Sequence, residues 1–172
     1  METPSNTPST APAAATQAPE ADIWASELGA KLKSGLIASP VTQADKDQNI
    51  LLEYAAKNNL DVTRTASGLY YVVEKEGSGT PPTIKDRASV HYRGYFLDGR
   101  EFDSSYKRNA PYDTELTAVI KGWTEALQLM KPGAKLKILV PSGLAYGERG
   151  FPGAIPPNSV MAFDMELVKV LK

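Results

Sequence analysis

Apolar side chains near the start of the chain recur with the period of an α-helix. The first such pattern covers residues 22–38. Its apolar positions include Leu28, Leu32 and Leu36, which fall near one face and predict an amphipathic helix. Pro40 ends the pattern, because proline cannot continue a helix.

A second helix is predicted to begin at Thr42. Asp45 follows three residues later, in the manner of a capping box with Asp in place of the usual Glu. The apolar face of this helix includes Leu51 and Tyr54, and the helix is expected to end at residues 58–59. Because each helix has only a narrow apolar stripe, neither forms a core alone, and both must pack on the main domain or on a second subunit.

From residue 68 onward the pattern changes to strands and turns. Asp98 followed by Gly99 is a strong hairpin signal between two of them. The first strand has apolar side chains on both faces, which predicts that both faces are covered. The strands with the clearest patterns lie at residues 68–74, 88–96, 135–140 and 160–171.

One short helix is predicted among these strands, over residues 121–130. Trp123, Leu127 and Met130 point to one side of it, and the Lys-Pro-Gly sequence that follows stops it. Several antiparallel strands and one short helix make a small α+β domain in which the helix covers one face of the sheet.

Composition narrows the classes of function. The chain has 172 residues, which suits one domain with an appendage. Its net charge of -1 gives no basic excess that would indicate nucleic acid or an anionic membrane surface. It has no cysteine, and its one histidine, His91, cannot form a metal site alone, so we expect no metal and no cofactor. No apolar run reaches the roughly 18 residues that a transmembrane helix needs.

The first 21 residues differ in composition from the rest. They are rich in Thr, Pro, Ser, Ala and Gln and have almost no large apolar side chain, which predicts a disordered tether. They also lack the basic start and apolar centre of a signal peptide. We therefore expect a tether over residues 1–21, a helical segment over residues 22–62 and the main domain over residues 63–172.

The sequence offers few side chains for covalent catalysis. It has no cysteine nucleophile, no Gly-x-Ser-x-Gly turn and no phosphate-binding glycine loop, and its acidic residues are scattered. His91 lies in mid-strand on the face opposite Val90 and Tyr92. We interpret it as a hydrogen-bonded or exposed strand residue, with a general base as the alternative.

Residues 146–159 favour a binding pocket instead. They hold three glycines and three prolines, so they form neither a helix nor the interior of a sheet. An ordered loop with this many apolar side chains suits one wall of an apolar pocket. Asp103 either caps its own turn or is a carboxylate at the edge of that pocket. The aromatic side chains are either core or pocket walls: Tyr92, Phe102, Tyr112, Trp123, Tyr146, Phe151 and Phe163.

Six stretches of residues 66–172 occur in an order that is typical of one family. They are Val90-His91-Tyr92, Asp98-Gly99 leading to Phe102-Asp103-Ser104-Ser105, Val119-Ile120-Lys121-Gly122-Trp123, Ala145-Tyr146-Gly147, Ile155-Pro156-Pro157-Asn158, and Phe163-Asp164-Met165-Glu166-Leu167. Together they resemble the FK506-binding-protein (FKBP) class of peptidyl-prolyl cis-trans isomerases. Residues 65–71 look like the entry to the exported bacterial members of that class.

The resemblance implies a sheet of five or six antiparallel strands wrapped around one short helix, with the ligand pocket between them. The indole of Trp123 would be the floor of the pocket, under the proline ring. Asp103, Tyr146, Trp123 and Phe163 would be the catalytic residues. The other side chains that the resemblance brings to the pocket are Tyr92 and Phe102 as walls, Val119, Ile120 and Tyr112 at the rim, and Phe151, Ala154 and Ile155 from the long loop.

The resemblance also implies polar contacts with the substrate. Asp103 would lie close to the twisting amide, held by Tyr92 and Arg108. The Tyr146 hydroxyl and the Ile120 backbone N–H would each donate to a substrate carbonyl. Three rim positions depart from the best-known members, where Phe, His and a larger aliphatic residue are common; these are Tyr112, Phe151 and Ala154.

The implied function is acceleration of X–Pro bond rotation in unfolded or partly folded proteins, without covalent or metal chemistry. A binding or chaperone module with the same fold is the alternative. The implied ligands are proline-containing polypeptides and macrolides of the FK506 and rapamycin type, with no nucleic acid. Residues 22–62 either form a homodimer or dock on the sheet. The expected location is exported bacterial, periplasmic or tethered to a membrane after removal of a leader, with the cytoplasm as the alternative.

Overall fold

The computed structural model of the chain describes residues 23–171. The tether predicted for residues 1–21 lies outside the described residues. The helices are α1 (Glu27–Lys33), α2 (Gln43–Lys57) and α3 (Lys121–Leu127). The strands are β1 (Thr63–Arg64), β2 (Tyr70–Lys75), β3 (Arg87–Tyr95), β4 (Glu101–Ser104), β5 (Tyr112–Glu115), β6 (Lys135–Val140) and β7 (Met161–Leu171). Within the described part of the chain, every helix is too short or too polar to cross a membrane.

The strands form one antiparallel sheet in the order β1-β2-β6-β7-β3-β4, and β5 also pairs with β3. The start of β3 pairs with β5 and its end pairs with β4, so β3 has neighbours along its whole length. The predicted α+β class is confirmed. The structure has seven strands where five or six were predicted. The additional ones are short or polar: β1 has two residues, and β5 is a polar strand at the edge of the sheet. Neither shows the alternation of apolar and polar residues that marks a strand in a sequence.

Helix α3 packs on one face of the sheet and forms the main core with β3, β6 and β7. A Cβ on Gly122 would lie 2.8 Å from Val140 Cγ1, so glycine lets the helix approach the sheet closely. The helix ends at Leu127, three residues before the predicted end. The last turn tightens instead, because the Leu129 N–H donates to the Ala126 carbonyl over 3.0 Å.

The N-terminal helices cover the opposite face of the sheet. The capping box is confirmed, since the Asp45 N–H donates to Thr42 Oγ1 over 3.1 Å and the Thr42 N–H donates to Asp45 Oδ2 over 3.2 Å. Helix α1 is shorter than residues 22–38, because Ser26 caps its start. Both helices pack on the main domain, which is one of the two arrangements predicted for them, in an apolar cluster of Leu32, Leu51, Leu52, Ala55, Val62, Tyr70, Tyr95, Leu139 and Ala162.

Candidate active site

A cavity of about 630 Å³ opens between the start of α3 and the strands β3, β4 and β7. We call it the aromatic cavity. Its lining residues are Tyr92, Phe102, Asp103, Arg108, Tyr112, Ala118, Val119, Ile120, Trp123, Tyr146 and Phe163. The structure thus brings together residues that lie far apart in the sequence, because β3 and β7 are neighbours in the sheet and α3 crosses them.

Trp123 lies at the centre of the aromatic side chains in this cavity. The indole is 4% exposed. The Tyr92 ring meets it edge-on at 4.7 Å between centroids, and the Phe163 ring does so at 5.5 Å. Phe102 meets Phe163 at 5.7 Å in the same manner. Such edge-to-face contacts are the favoured geometry of aromatic pairs, so the four rings hold one another in place.

Gly94 explains how two of these rings fit. It faces the cavity side of β3, opposite Phe163 in the β3–β7 register. A Cβ at this position would lie 2.7 Å from Phe163 Cε1 and 2.8 Å from two carbons of Phe102. Both rings therefore occupy the space that a larger residue would need.

A polar group stands at one edge of the aromatic cavity. The Tyr92 hydroxyl donates to Asp103 Oδ2. Arg108 Nη1 lies 2.5 Å from Asp103 Oδ1, and Arg108 Nη2 donates to the Tyr92 hydroxyl over 2.9 Å. The Ser104 backbone N–H also donates to Asp103 Oδ1 over 2.9 Å. Three donors from different parts of the chain thus fix the carboxylate.

The same contacts set the charge of the group. Burial alone would raise the pKa of Asp103, but the hydrogen bonds from Tyr92 and Arg108 outweigh it and lower the pKa. Burial, with the hydrogen bond to Asp103, raises the pKa of Tyr92 to about 12. The hydrogen bond to Asp103 raises the pKa of Arg108. At neutral pH, Asp103 is therefore an anion, Tyr92 is neutral and Arg108 is a cation.

The rim offers two potential donors. Ile120 precedes α3 with an extended backbone (φ -58°, ψ 152°), so its N–H lies outside the hydrogen-bond ladder of the helix. Tyr146 is 38% exposed, and burial followed by the nearby charge of Asp103 raises its pKa, so its hydroxyl keeps its proton.

The three residues expected to reach the pocket from the long loop do not line the cavity. Phe151 is 56% exposed and meets Tyr146 edge-on at 6.0 Å. Ala154 is exposed, and Ile155 is buried in the main core. Gly150 (φ 61°) and Gly153 (φ 83°) bend the loop, and the N–H groups of Phe151 and Ile155 each donate to the carbonyl of the other over 2.8 Å. This tight turn directs Phe151 outward and Ile155 inward.

Two further placements concern chemistry. Ala118 lines the cavity but has no sequence signal, because a small residue in a turn belongs to no apolar pattern.

His91 lies outside the cavity, where its Nδ1 is 2.8 Å from Ser105 Oγ and its ring stacks on Tyr106 at 4.7 Å. Its interpretation as a hydrogen-bonded strand residue is confirmed. Over residues 23–171, no group of three or more His, Asp or Glu side chains could hold a metal ion.

The arrangement can bind an apolar group of ordinary side-chain size and offer hydrogen bonds to the polar atoms beside it. None of the eleven lining residues is a serine, threonine, histidine or lysine. What these side chains can supply is shape, exclusion of water and a fixed charge distribution.

Comparisons with known proteins agree with this geometry. A family model for FKBP-type peptidyl-prolyl cis-trans isomerases matches residues 78–168. The peptidyl-prolyl cis-trans isomerase Mip of Coxiella burnetii is 49% identical over 118 residues, which are 69% of this chain and 51% of the relative. The chain spans about half the length of the curated relatives it matches.

Two solved structures have the same fold. FkpA from Escherichia coli has a TM-score of 0.67 and 39% identity, over 82% of this chain and 63% of that one. A peptidyl-prolyl cis-trans isomerase from Pseudomonas syringae pv. tomato also has a TM-score of 0.67, with 33% identity over 80% of this chain and all of that one (100%).

Proposed function

This chain belongs to the FKBP-type peptidyl-prolyl cis-trans isomerase family, and on that premise we propose that it accelerates rotation about X–Pro bonds in unfolded or partly folded polypeptides. The observation that carries the proposal is the aromatic cavity itself. It is open, has a buried indole at its centre and carries an anchored carboxylate at its edge.

In this proposal the proline ring of the substrate lies on the indole of Trp123. Tyr92, Phe102 and Phe163 are the walls around it. Their edge-to-face contacts support this role, because rings that brace one another present a rigid, apolar surface to the ligand. Val119 and Tyr112 contact the residues that flank the proline.

Polar groups at the rim hold the peptide backbone. The Tyr146 hydroxyl and the Ile120 N–H donate to substrate carbonyls on either side of the proline. Asp103 lies beside the twisting amide, and Arg108 with Tyr92 keeps it ionised and in place. From the long loop, Phe151 and Ala154 contact residues farther from the proline, while Ile155 supports the loop from within the core.

The physical basis is preference for the twisted amide. Rotation breaks amide resonance at a cost of about 18–20 kcal/mol. The twisted amide has less charge separation than the planar form, so removal of water by an apolar cavity raises the energy of the planar form more. Only contacts that are stronger in the twisted form lower the barrier. A preference of about 4 kcal/mol gives an acceleration on the order of a thousandfold. This mechanism requires no nucleophile, base or metal.

Cis-to-trans conversion of a short X–Pro peptide tests the proposal. Trp123→Leu and Asp103→Ala should each slow the conversion. The matched controls are Trp24→Leu, just before α1, and Asp113→Ala, on the exposed side of β5, and both should retain the wild-type rate. Wild-type rates in both cavity variants would refute the proposal.

A refolding assay separates this function from that of a binding module. An isomerase speeds the refolding of a client whose slow step is X–Pro isomerisation, and it does not help a proline-free client. Equal help to both clients would favour the binding module. In the same assay, macrolides of the FK506 and rapamycin type should inhibit, since we propose that they occupy the aromatic cavity.

We further propose that residues 22–62, whose helices dock on the sheet of their own chain, also contact a second copy in a homodimer. For the location, we propose an exported bacterial protein, periplasmic or tethered to a membrane. In this proposal the exposed apolar side chains of Val41 and Ile50 contribute to the dimer contact. Sedimentation velocity over a range of concentrations tests it, and Ile50→Glu should shift the equilibrium toward monomer. Fractionation of the native cells tests the location, and recovery in the cytoplasm alone would exclude export.

A further inference from the structure

A buried carboxylate joins the N-terminal helices to the loop that carries Tyr146. Asp47 of α2 is 1% exposed. It accepts hydrogen bonds from the Ser142 backbone N–H over 2.9 Å, from Ser142 Oγ over 2.5 Å and from Gln43 Nε2 over 2.8 Å. Burial of a carboxylate is costly unless it is fully hydrogen-bonded, so these contacts hold α2 and the loop in one relative position.

Ser142 begins the short helical turn that leads directly to Tyr146. The turn covers Ser142–Leu144, and the Ala145 N–H donates back to the Ser142 carbonyl over 3.0 Å. The first N–H groups of such a turn have no partner inside it, so they need an acceptor from elsewhere. Asp47 supplies that acceptor from a helix that is distant in sequence.

The same turn also contacts the start of α3. A Cβ on Gly122 would lie 3.4 Å from the Leu144 carbonyl oxygen. Gly122 directly precedes Trp123, the central residue of the aromatic cavity. A shift of the turn would therefore displace Tyr146 on one side and change the packing at the start of α3 on the other.

We propose that Asp47 is a positioning residue for the isomerase site, which fixes the Ser142–Leu144 turn so that the Tyr146 hydroxyl is held at the rim of the aromatic cavity. The inference rests on the proposed function. If Asp47 has this role, then α2 contributes to the geometry of the active site, although it lies before the residues matched by the family model.

Peptide kinetics test the proposal, at a temperature where every variant is folded. Asp47→Ala should lower kcat/KM for an X–Pro peptide by about three- to tenfold, in line with the loss of one well-placed hydrogen bond to the substrate. Asp47→Asn should recover most of the rate, because its amide oxygen can still accept from Ser142. The matched control is Leu32→Ala, which removes a buried side chain of α1 from the apolar cluster beneath the N-terminal helices. It should lower stability but leave kcat/KM unchanged.

A double-mutant cycle distinguishes positioning from general loss of stability. If Asp47 acts through Tyr146, then Asp47→Ala should have little further effect on kcat/KM in a Tyr146→Phe background. The proposal is overturned if Asp47→Ala lowers the rate by the same factor in both backgrounds, or if Leu32→Ala slows catalysis as much as Asp47→Ala.

Amide hydrogen exchange separates failure of this inference from failure of the proposed function. The Leu144 N–H donates to the Pro141 carbonyl and the Ala145 N–H to the Ser142 carbonyl, each over 3.0 Å. Both amides should lose about tenfold of their protection in Asp47→Ala but not in Leu32→Ala. A wild-type chain that accelerates no peptide would refute the proposed function. Unchanged protection of both amides in Asp47→Ala would overturn the role of Asp47, whatever the activity.

Discussion

Replacement of Gly94 by alanine tests how tightly the walls of the aromatic cavity are packed. Glycine-to-alanine changes in ordinary backbone conformations stabilise a protein by about 0.4–1 kcal/mol, because alanine has less freedom in the unfolded chain. Gly94 is not among the described residues with positive φ, so its backbone does not require glycine. Conformational entropy alone therefore predicts a gain in stability.

The contacts of the added methyl group predict the opposite. The new Cβ would lie 2.7 Å from Phe163 Cε1 and 2.8 Å from Phe102, which is closer than side-chain carbons approach. Phe163 is buried, and its contacts with Trp123 and Phe102 leave it little room to move. Overpacking of this kind typically costs about 1–3 kcal/mol, which exceeds the entropic gain. We expect a net loss of about 1–2 kcal/mol in the free energy of unfolding.

Urea denaturation and peptide kinetics together check this expectation. Gly94→Ala should unfold at lower urea concentration, and its kcat/KM for an X–Pro peptide should fall by about tenfold because two cavity walls are displaced. Gly143→Ala is the matched control for stability, since a Cβ there would meet nothing within 4 Å. A Gly94→Ala variant with wild-type stability and wild-type kcat/KM would show that the rings do not form the tight walls described above.

Three further predictions concern the rim and the N-terminal helices. Tyr146→Phe should lower kcat/KM by about two- to tenfold without a change in urea stability, because it removes one exposed donor. Arg108→Met should move the acid limb of the kcat/KM profile to higher pH, because it removes a contact that lowers the pKa of Asp103. The free energy of unfolding depends on pH in the same direction. Asp103 contributes stability above its ordinary pKa of 3.8, and this contribution is lost as the pH falls through its lowered folded value. Thr42→Ala should cost about 1 kcal/mol of stability, because it removes the cap of α2, and should leave kcat/KM unchanged. A lower kcat/KM would contradict the expectation that this cap affects stability alone.

Features of the fold that depend on interactions between neighbouring residues could be predicted from the sequence. The Thr42–Asp45 capping box depends on two side chains three residues apart, so its pattern is visible in the sequence. The hairpin at Gly99 (φ 94°) likewise follows from the turn chemistry of glycine. Strands β3, β6 and β7 have clear apolar patterns because each has a buried face. Both faces of β2 were expected to be covered, but only its start is buried and its last three residues are exposed.

The remaining features depend on tertiary contacts. The direction of Phe151 and Ile155 is set by two glycines with positive φ and by their mutual hydrogen bonds, and neither is apparent from residue type. No local pattern distinguishes Asp47 from other polar residues of α2, because its partner Ser142 lies 95 positions away. Edge strand β5 is stabilised by pairing with β3 rather than by its own sequence, so no local pattern could reveal it.

In our proposal, a cavity with Trp123 at its centre accelerates X–Pro rotation without covalent chemistry. Exchange NMR of a short X–Pro peptide at equilibrium, with a small amount of the chain, measures this acceleration. Uncatalysed exchange takes about tens to hundreds of seconds. The wild-type chain should make exchange much faster while the cis:trans ratio of the free peptide stays the same, and a folded Trp123→Leu variant should lose most of the acceleration. Exchange that stays at the uncatalysed rate with the wild-type chain, or equal acceleration by the folded variant, would contradict the proposal.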